Sequence, residues 1–152
     1  MKKALFLGLV LCLAIVTSSQ VSSHCQIPCG IYDDEARFTL LSEHITTIEK
    51  SMNKINELSS DPSANSNQIT RWVNNKESHA DEFTDIIVDY FLVQRIKEVQ
   101  PQTDGYDAYM KKLSSLHALL RYAMKCKQTT ELSNTESMKE ILKEFNNFYN
   151  SK

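Results

Sequence analysis

Hydrophobic residues recur at three- and four-residue steps along most of the chain, and this is the period of one face of an α-helix. The first such stripe follows an acidic cluster, residues 33–35, and ends near Leu58. Carboxylates are favoured at a helix start because they interact with the positive end of the helix dipole. The stripe contains Phe38, Leu41, Ile45, Ile48, Met52, Ile55 and Leu58. The pattern therefore predicts a first helix from the acidic cluster to about Leu58.

Three further stripes predict three more helices. The second is expected from about Asn67 to Val99, after a polar connection that contains Pro62, and its weakly apolar stretch at residues 74–81 predicts a bend or a projection. Residues 101–105 form a clear break before a third helix at 106–127, and a fourth begins near Ser133. The expected inner face of the second helix consists of Ile69, Trp72, Val73, Phe83, Ile86, Ile87, Tyr90 and Phe91. That of the third consists of Tyr109, Leu113, Leu116, Leu120 and Met124, and that of the fourth of Met138, Ile141, Leu142, Phe145 and Phe148. Four amphipathic helices with short connections predict an all-α fold, an antiparallel four-helix bundle.

Residues 1–23 read as a secretory signal peptide. Two lysines precede an apolar run at residues 4–16, which is shorter than the roughly 20 residues that a membrane span needs. Val21 and Ser23 occupy the positions −3 and −1 to a cut before His24. We therefore expect an exported protein, in the periplasm, the extracellular space or an organelle lumen, whose mature part is one domain, residues 24–152. An uncleaved anchor, or a cut one or two residues away, is the alternative.

Composition and charge narrow the function classes. The chain has only three Gly and three Pro, which favours helices, and its formal net charge is −2 without any basic run. This charge balance argues against nucleic acid as a partner. Once the predicted signal peptide is removed, we expect no stable association with a membrane.

Cysteine usage raises the first chemical question. Cys12 lies in the leader, so Cys25, Cys29 and Cys126 remain, an odd number that does not suit a disulfide framework. Cys126, near the end of the third predicted helix, is expected to be a small buried residue. Cys25 and Cys29 could form a disulfide or bind a metal, and their spacing alone leaves both open.

The stretch at residues 24–32, His-Cys-Gln-Ile-Pro-Cys-Gly-Ile-Tyr, favours the metal. We call it the hook. With His24 as the first residue, its α-amine, the Cys25 amide nitrogen and the thiolates of Cys25 and Cys29 offer two nitrogens and two sulfurs in a plane. Such a set suits Ni(II) or Cu(II), and the His24 imidazole could add an axial ligand.

Three other hook residues have expected supporting roles. Pro28 restricts φ and removes one N–H, and Gly30 permits backbone conformations that other residues resist. Tyr32 could fold over the metal and gate small anions or donate a hydrogen bond, or it could pack as an aromatic residue at the helix entry.

The hook resembles the motif H-C-x-x-P-C-G-x-Y of the nickel superoxide dismutases, and weaker similarity extends over most of the mature chain, including residues 71–74 and 94–97. The resemblance implies dismutation of superoxide to dioxygen and hydrogen peroxide by Ni(III)/Ni(II) cycling, with one nickel per subunit in a homohexamer of four-helix bundles. It implies His24, Cys25 and Cys29 as ligands, His24 and Tyr32 as catalytic residues, and Tyr90 as a second tyrosine near the metal.

One departure from the family and two other functions stay open. Thr39 stands where relatives carry a glutamate that steadies the axial histidine, so the support of His24 is in question. The competing functions are an exported bundle that chelates nickel or copper without catalysis, and a structural or signalling bundle with a Cys25–Cys29 disulfide. His44, His79 and His117 lack paired spacing, and we expect them to be surface or packed residues.

Overall fold

The computed structural model describes residues 34–150, and these form helices without any strand. The helices are α1 (Asp34–Leu58), α2 (Pro62–Asp85), which continues as a π-helix (Ile86–Arg95), α3 (Tyr106–Gln128) and α4 (Ser133–Asn150). The predicted helical bundle is confirmed. The predicted signal peptide and the hook lie outside the described residues. Within the described part, every helix is too short or too polar to cross a membrane.

The helices run antiparallel along the chain. His44 of α1 contacts His79 of α2, and Ser51 of α1 contacts Asn75 of α2. Residue numbers therefore rise in opposite directions along the two helices. The same order brings the start of α1, the end of the π-helix, the start of α3 and the end of α4 to one end of the bundle. We call it the Asp34 end, after the first described residue.

The core confirms the predicted face of α1 and corrects that of α3. Six of the seven stripe residues on α1 are buried, while Leu58 is half-buried. On α3, Met124 is 46% exposed, which contradicts its predicted core position. The buried positions there are Leu116, Leu119, Ala123 and Cys126. Two sets of apolar residues follow helical spacing on α3, the predicted one and the buried one. The small side chains of Ala123 and Cys126 let neighbouring helices approach the buried one closely.

Both ends of the second predicted helix were misplaced. It begins at Pro62 and not at Asn67, because the Asp61 side chain accepts a hydrogen bond from the Ala64 N–H at 3.1 Å and Pro62 occupies the first helical turn. It ends at Arg95 and not at Val99. At this end the Ile96 N–H donates to the Phe91 carbonyl, which is the wider hydrogen-bond register of a π-helix.

The middle of α2 packs closely, although its weakly apolar sequence predicted a bend or a projection. Trp72 and Val73 are only half-buried, whereas Ala80 and even Lys76 are buried. The Lys76 ammonium donates to the carbonyls of Cys126 and Lys127, both at 2.6 Å. These are carbonyls of the last turn of α3, which lack partners within their own helix, so a cation there satisfies them and complements the helix dipole.

Candidate metal centre

The predicted metal ligands precede the described residues. His24, Cys25, Pro28, Cys29, Gly30 and Tyr32 all lie outside them, so their arrangement stays a prediction. What the structure does describe is the base from which the hook emerges, and Tyr90 is the one predicted site residue within it.

The base is built around the Asp34 carboxylate, two residues after Tyr32. The Tyr90 hydroxyl donates to Asp34 Oδ1 at 2.5 Å, and the Tyr149 hydroxyl donates to Oδ2 at 2.9 Å. The Arg95 guanidinium approaches Oδ1 through Nε at 2.7 Å and Nη2 at 2.6 Å. Asp34 thus joins the start of α1 to the π-helix and to the end of α4. We call these four residues the Asp34 clamp.

The protonation states of the clamp follow from these contacts. Burial raises the pKa of Asp34, but the hydrogen bonds from Tyr90, Arg95 and Tyr149 outweigh it and hold that pKa below its usual value. Burial and the bond to Asp34 raise the pKa of Tyr90, and they raise the pKa of Tyr149 to about 12. At neutral pH the clamp therefore has a charged carboxylate and two neutral phenols that act as donors.

An aromatic cluster packs beneath the clamp. Phe38 of α1 lies with its ring centroid 5.2 Å from that of Phe91 and 5.6 Å from that of Phe145. The Tyr149 ring packs against all three at 5.3 to 5.6 Å. Tilted and edge-on contacts at these distances are favourable for aromatic rings. The start of α1, which follows the hook in the sequence, is therefore packed against an aromatic cluster.

Positive side chains surround the same end. Arg37 and Arg95 lie over the Tyr90 ring, with the guanidinium carbons 5.0 and 5.4 Å from its centroid. Lys111 and Lys112 of α3 lie over the rings of Phe148 and Tyr149, at 4.4 and 5.4 Å. These contacts are cation–π interactions. They place Arg37, Lys111 and Lys112 near the Asp34 end, while Arg95 is paired with Asp34.

Cys126, the cysteine among the described residues, is unsuited to bind a metal. It is fully buried, and its Sγ lies 3.7 Å from the Sδ of Met138. Burial raises the pKa of its thiol to about 11, so it stays protonated, whereas metals bind the thiolate. The prediction of a small buried residue is confirmed. Cys25 and Cys29 of the hook offer two further thiols, and a donor set of thiolates with amine, amide and imidazole nitrogens fits nickel.

Thr39 occupies the position at which the family resemblance implies a glutamate that supports the axial histidine. Thr39 is exposed on the outer side of α1, along an open groove that it lines with Glu35, Ser42 and Glu43. A threonine hydroxyl at this place is short and neutral, so any support that it gives His24 differs from that of a glutamate.

Sequence reasoning missed a pair of histidines. The Nδ1 atoms of His44 on α1 and His79 on α2 lie 2.9 Å apart, and Glu82 Oε2 is 3.6 Å from the first and 4.0 Å from the second. His44 is buried, and burial lowers the pKa of its imidazole. The spacing of His79 and Glu82, three residues apart on one helix face, was the only local signal. His44 lies 35 residues from His79, so their contact depends on how α1 and α2 pack.

Comparison with known families bears on the chain as a whole. A family model described as nickel-containing superoxide dismutase matches residues 19–152, which include the hook and all four helices. No curated protein and no solved structure matches the chain.

Proposed function

The chain belongs to the nickel-containing superoxide dismutases, and we propose that it binds nickel through His24, Cys25 and Cys29. As a member of this family it is an oxidoreductase that converts superoxide to dioxygen and hydrogen peroxide. When bound, nickel supplies the one-electron redox couple of that reaction. The observation that carries the proposal is the family match, because it covers the hook and the bundle together.

In the proposed site, His24 contributes its α-amine and its imidazole, and Cys25 and Cys29 contribute thiolates. Pro28 and Gly30 shape the turn between the two cysteines. Tyr32 donates a hydrogen bond that orders the superoxide anion. Cysteine binds a metal as the thiolate, so Cys25 and Cys29 must be reduced. The α-amine is a ligand only if His24 is the first residue of the chain.

The Asp34 clamp limits where the hook can lie. An extended chain covers at most about 3.6 Å per residue, so Tyr32 Cα lies within roughly 7 Å of Asp34 Cα and Cys29 Cα within roughly 18 Å. Because Tyr90 is bound to Asp34, this reach supports a place for Tyr90 near the metal, as the family resemblance implies. The hydroxyl of Tyr90 is committed to Asp34, so its role is to position the start of α1.

The cationic side chains at the Asp34 end support an anionic substrate. Superoxide carries a negative charge, and positive groups near a site raise the local concentration of an anion and its association rate. Arg37, Lys111 and Lys112 are the groups that would act in this way. We expect the rate to fall as ionic strength rises, because salt screens such attraction.

Export and assembly belong to the same proposal. Removal of residues 1–23 in an exported chain would create the free His24 terminus that the ligand set requires. Association into a homohexamer is implied by the family resemblance. Val93 and Met110, which are 69% and 43% exposed, are apolar side chains that contacts between subunits could cover.

The decisive experiment uses protein purified after authentic export. Its intact mass, bound nickel and superoxide consumption are measured together, for the wild type and for Cys25→Ser and Cys29→Ser. We expect the mass of residues 24–152, one nickel per subunit, and loss of both nickel and activity in each variant without loss of helix content. The matched control Cys126→Ala should keep nickel and activity. Nickel binding without superoxide consumption would instead indicate a chelating bundle.

A further inference from the structure

We propose that His44, His79 and Glu82 form a second metal site, which binds one divalent transition ion such as Zn²⁺ between α1 and α2. The three ligand atoms, two imidazole nitrogens and one carboxylate oxygen, lie within 4.8 Å of one another. Two histidines and one carboxylate, with water in a fourth position, are an established ligand set for zinc.

The contact geometry requires only a small adjustment. Two imidazole nitrogens that bind a tetrahedral zinc, each about 2.0–2.1 Å from the metal, lie about 3.3 Å apart. The Nδ1 atoms of His44 and His79 are 2.9 Å apart, so they must separate by about 0.4 Å to admit the ion. His79 is half-buried and Glu82 is exposed, so both can rotate, whereas buried His44 serves as the fixed ligand.

The surroundings favour a cation at this place. Without an ion, one of the two facing nitrogens must donate a proton and the other must accept it, so the rings share one hydrogen bond. An ion between them would be bound by both nitrogens, and the negative charges of Glu82 and of Glu43, which also acts on His44, would offset its charge. The ring of His79 packs 5.1 Å from that of His44, which holds both imidazoles in reach of one ion.

The proposed site uses ligands that differ from those of the hook. His44 follows Asp34 by ten residues, or roughly 15 Å along the axis of α1. Its ligands come from two helices of the bundle and include none of the hook residues. A bound ion would connect α1 to α2 and would stabilise the folded chain increasingly as the free ion concentration rises above the dissociation constant. The proposal therefore does not depend on nickel binding at His24.

The test uses the full mature chain with Cys25→Ser and Cys29→Ser, so that the hook offers no thiolate. Zn²⁺ alone is titrated by calorimetry, and Co²⁺ is added in parallel for its ligand-field absorption. We expect one equivalent of Zn²⁺ and a higher melting temperature in its presence. Adding His79→Gln or Glu82→Gln removes a ligand and should weaken binding by at least about 10- to 100-fold, the range that loss of an outer-shell partner already costs.

The control is His117→Gln, an exposed histidine on α3 that lies outside the cluster. It should leave the Zn²⁺ affinity and the melting shift unchanged. If the double cysteine variant does not fold, wild-type protein with its hook thiols alkylated replaces it. Absence of Zn²⁺ binding in the folded, hook-silenced protein would overturn the proposal, and so would equal binding by the His79→Gln, Glu82→Gln and His117→Gln proteins.

Discussion

The Tyr90 hydroxyl donates a hydrogen bond to the Asp34 carboxylate across 56 residues of sequence. This contact ties the π-helix to the first described residue of α1, next to the predicted hook. It explains how a helical bundle could steady a metal site that is carried on a short N-terminal segment. The bond also leaves the Tyr90 phenol neutral and committed to a structural partner.

Replacing Tyr90 by Phe should lower both stability and turnover. The variant loses one charge-assisted hydrogen bond, which is worth about 1.5–3 kcal/mol in the free energy of unfolding. A less firmly held start of α1 should also reduce superoxide consumption, while bound nickel is retained. Chemical denaturation, nickel analysis and activity measure the three effects. Tyr109→Phe, on half-buried Tyr109 of α3, is the control, and equal behaviour of the two variants would show that the Asp34 clamp is unimportant.

Asp34→Asn should have an effect that depends on pH. The pKa of Asp34 is lowered in the folded chain, so its charged form stabilises the fold above the unfolded pKa of about 3.9. That contribution disappears as the pH falls through the lower, folded pKa. We therefore expect a constant difference between wild type and Asp34→Asn at pH 5–7, which shrinks below about pH 4. Unfolding free energies over this range measure it.

The control for this pH dependence is Asp107→Asn. Asp107 also lies in the first turn of a helix, α3, but it is exposed, so it tests the dipole effect alone. A difference that stays the same down to pH 2 for Asp34→Asn would mean that its charge does not stabilise the fold.

Lys76→Met should lower the stability of the bundle by more than the substitution of an exposed lysine does. The change leaves the carbonyls of Cys126 and Lys127 without the ammonium that satisfies them, and hydrogen bonds to charged groups are worth about 1.5–3 kcal/mol. Lys54→Met is the matched control, because Lys54 forms an exposed pair with Glu57 that contributes at most about 1 kcal/mol. Denaturation midpoints compare the two, and a similar shift for both would contradict the role of Lys76.

Extending the chain by one residue before His24 should abolish activity without unfolding the bundle. The extension turns the His24 amine into a peptide amide, which is a much poorer ligand. We expect protein made with Met before His24 to be helical by circular dichroism, poor in nickel and inactive. Release of a free His24 by a site-specific protease, with nickel and a reductant present, should restore activity. Equal activity of the extended and trimmed proteins would exclude the amine as a ligand.

His24→Gln, with the terminus free, separates nickel binding from turnover. The amine, the Cys25 amide and both thiolates remain, so much of the nickel binding should persist. Most of the superoxide consumption should disappear, because the imidazole ligand is gone. Nickel analysis of the purified variant and an activity assay measure this, and an unchanged rate would rule out a role for the imidazole.

The sequence alone determined those features that are local along the chain. The hook motif identified the family, which the match over residues 19–152 confirms, although the ligand roles of its residues stay a prediction. The bounds of α1 and its inner face could be derived because acidic residues at its start and apolar residues at helical spacing act within a few turns. The start of α2 was missed because the Asp61 cap and Pro62 were read as part of a loop.

The tertiary structure alone decided which distant residues meet. Asp34 binds Tyr149 across 115 residues, Lys76 binds the Cys126 carbonyl across 50, and His44 faces His79 across 35. Periodicity shows which side of a helix is apolar, but it contains no information on the rotation and axial position of one helix against another. These are set by how side chains interlock in the core, as on α3, where small residues and not the larger Met124 face the neighbouring helices.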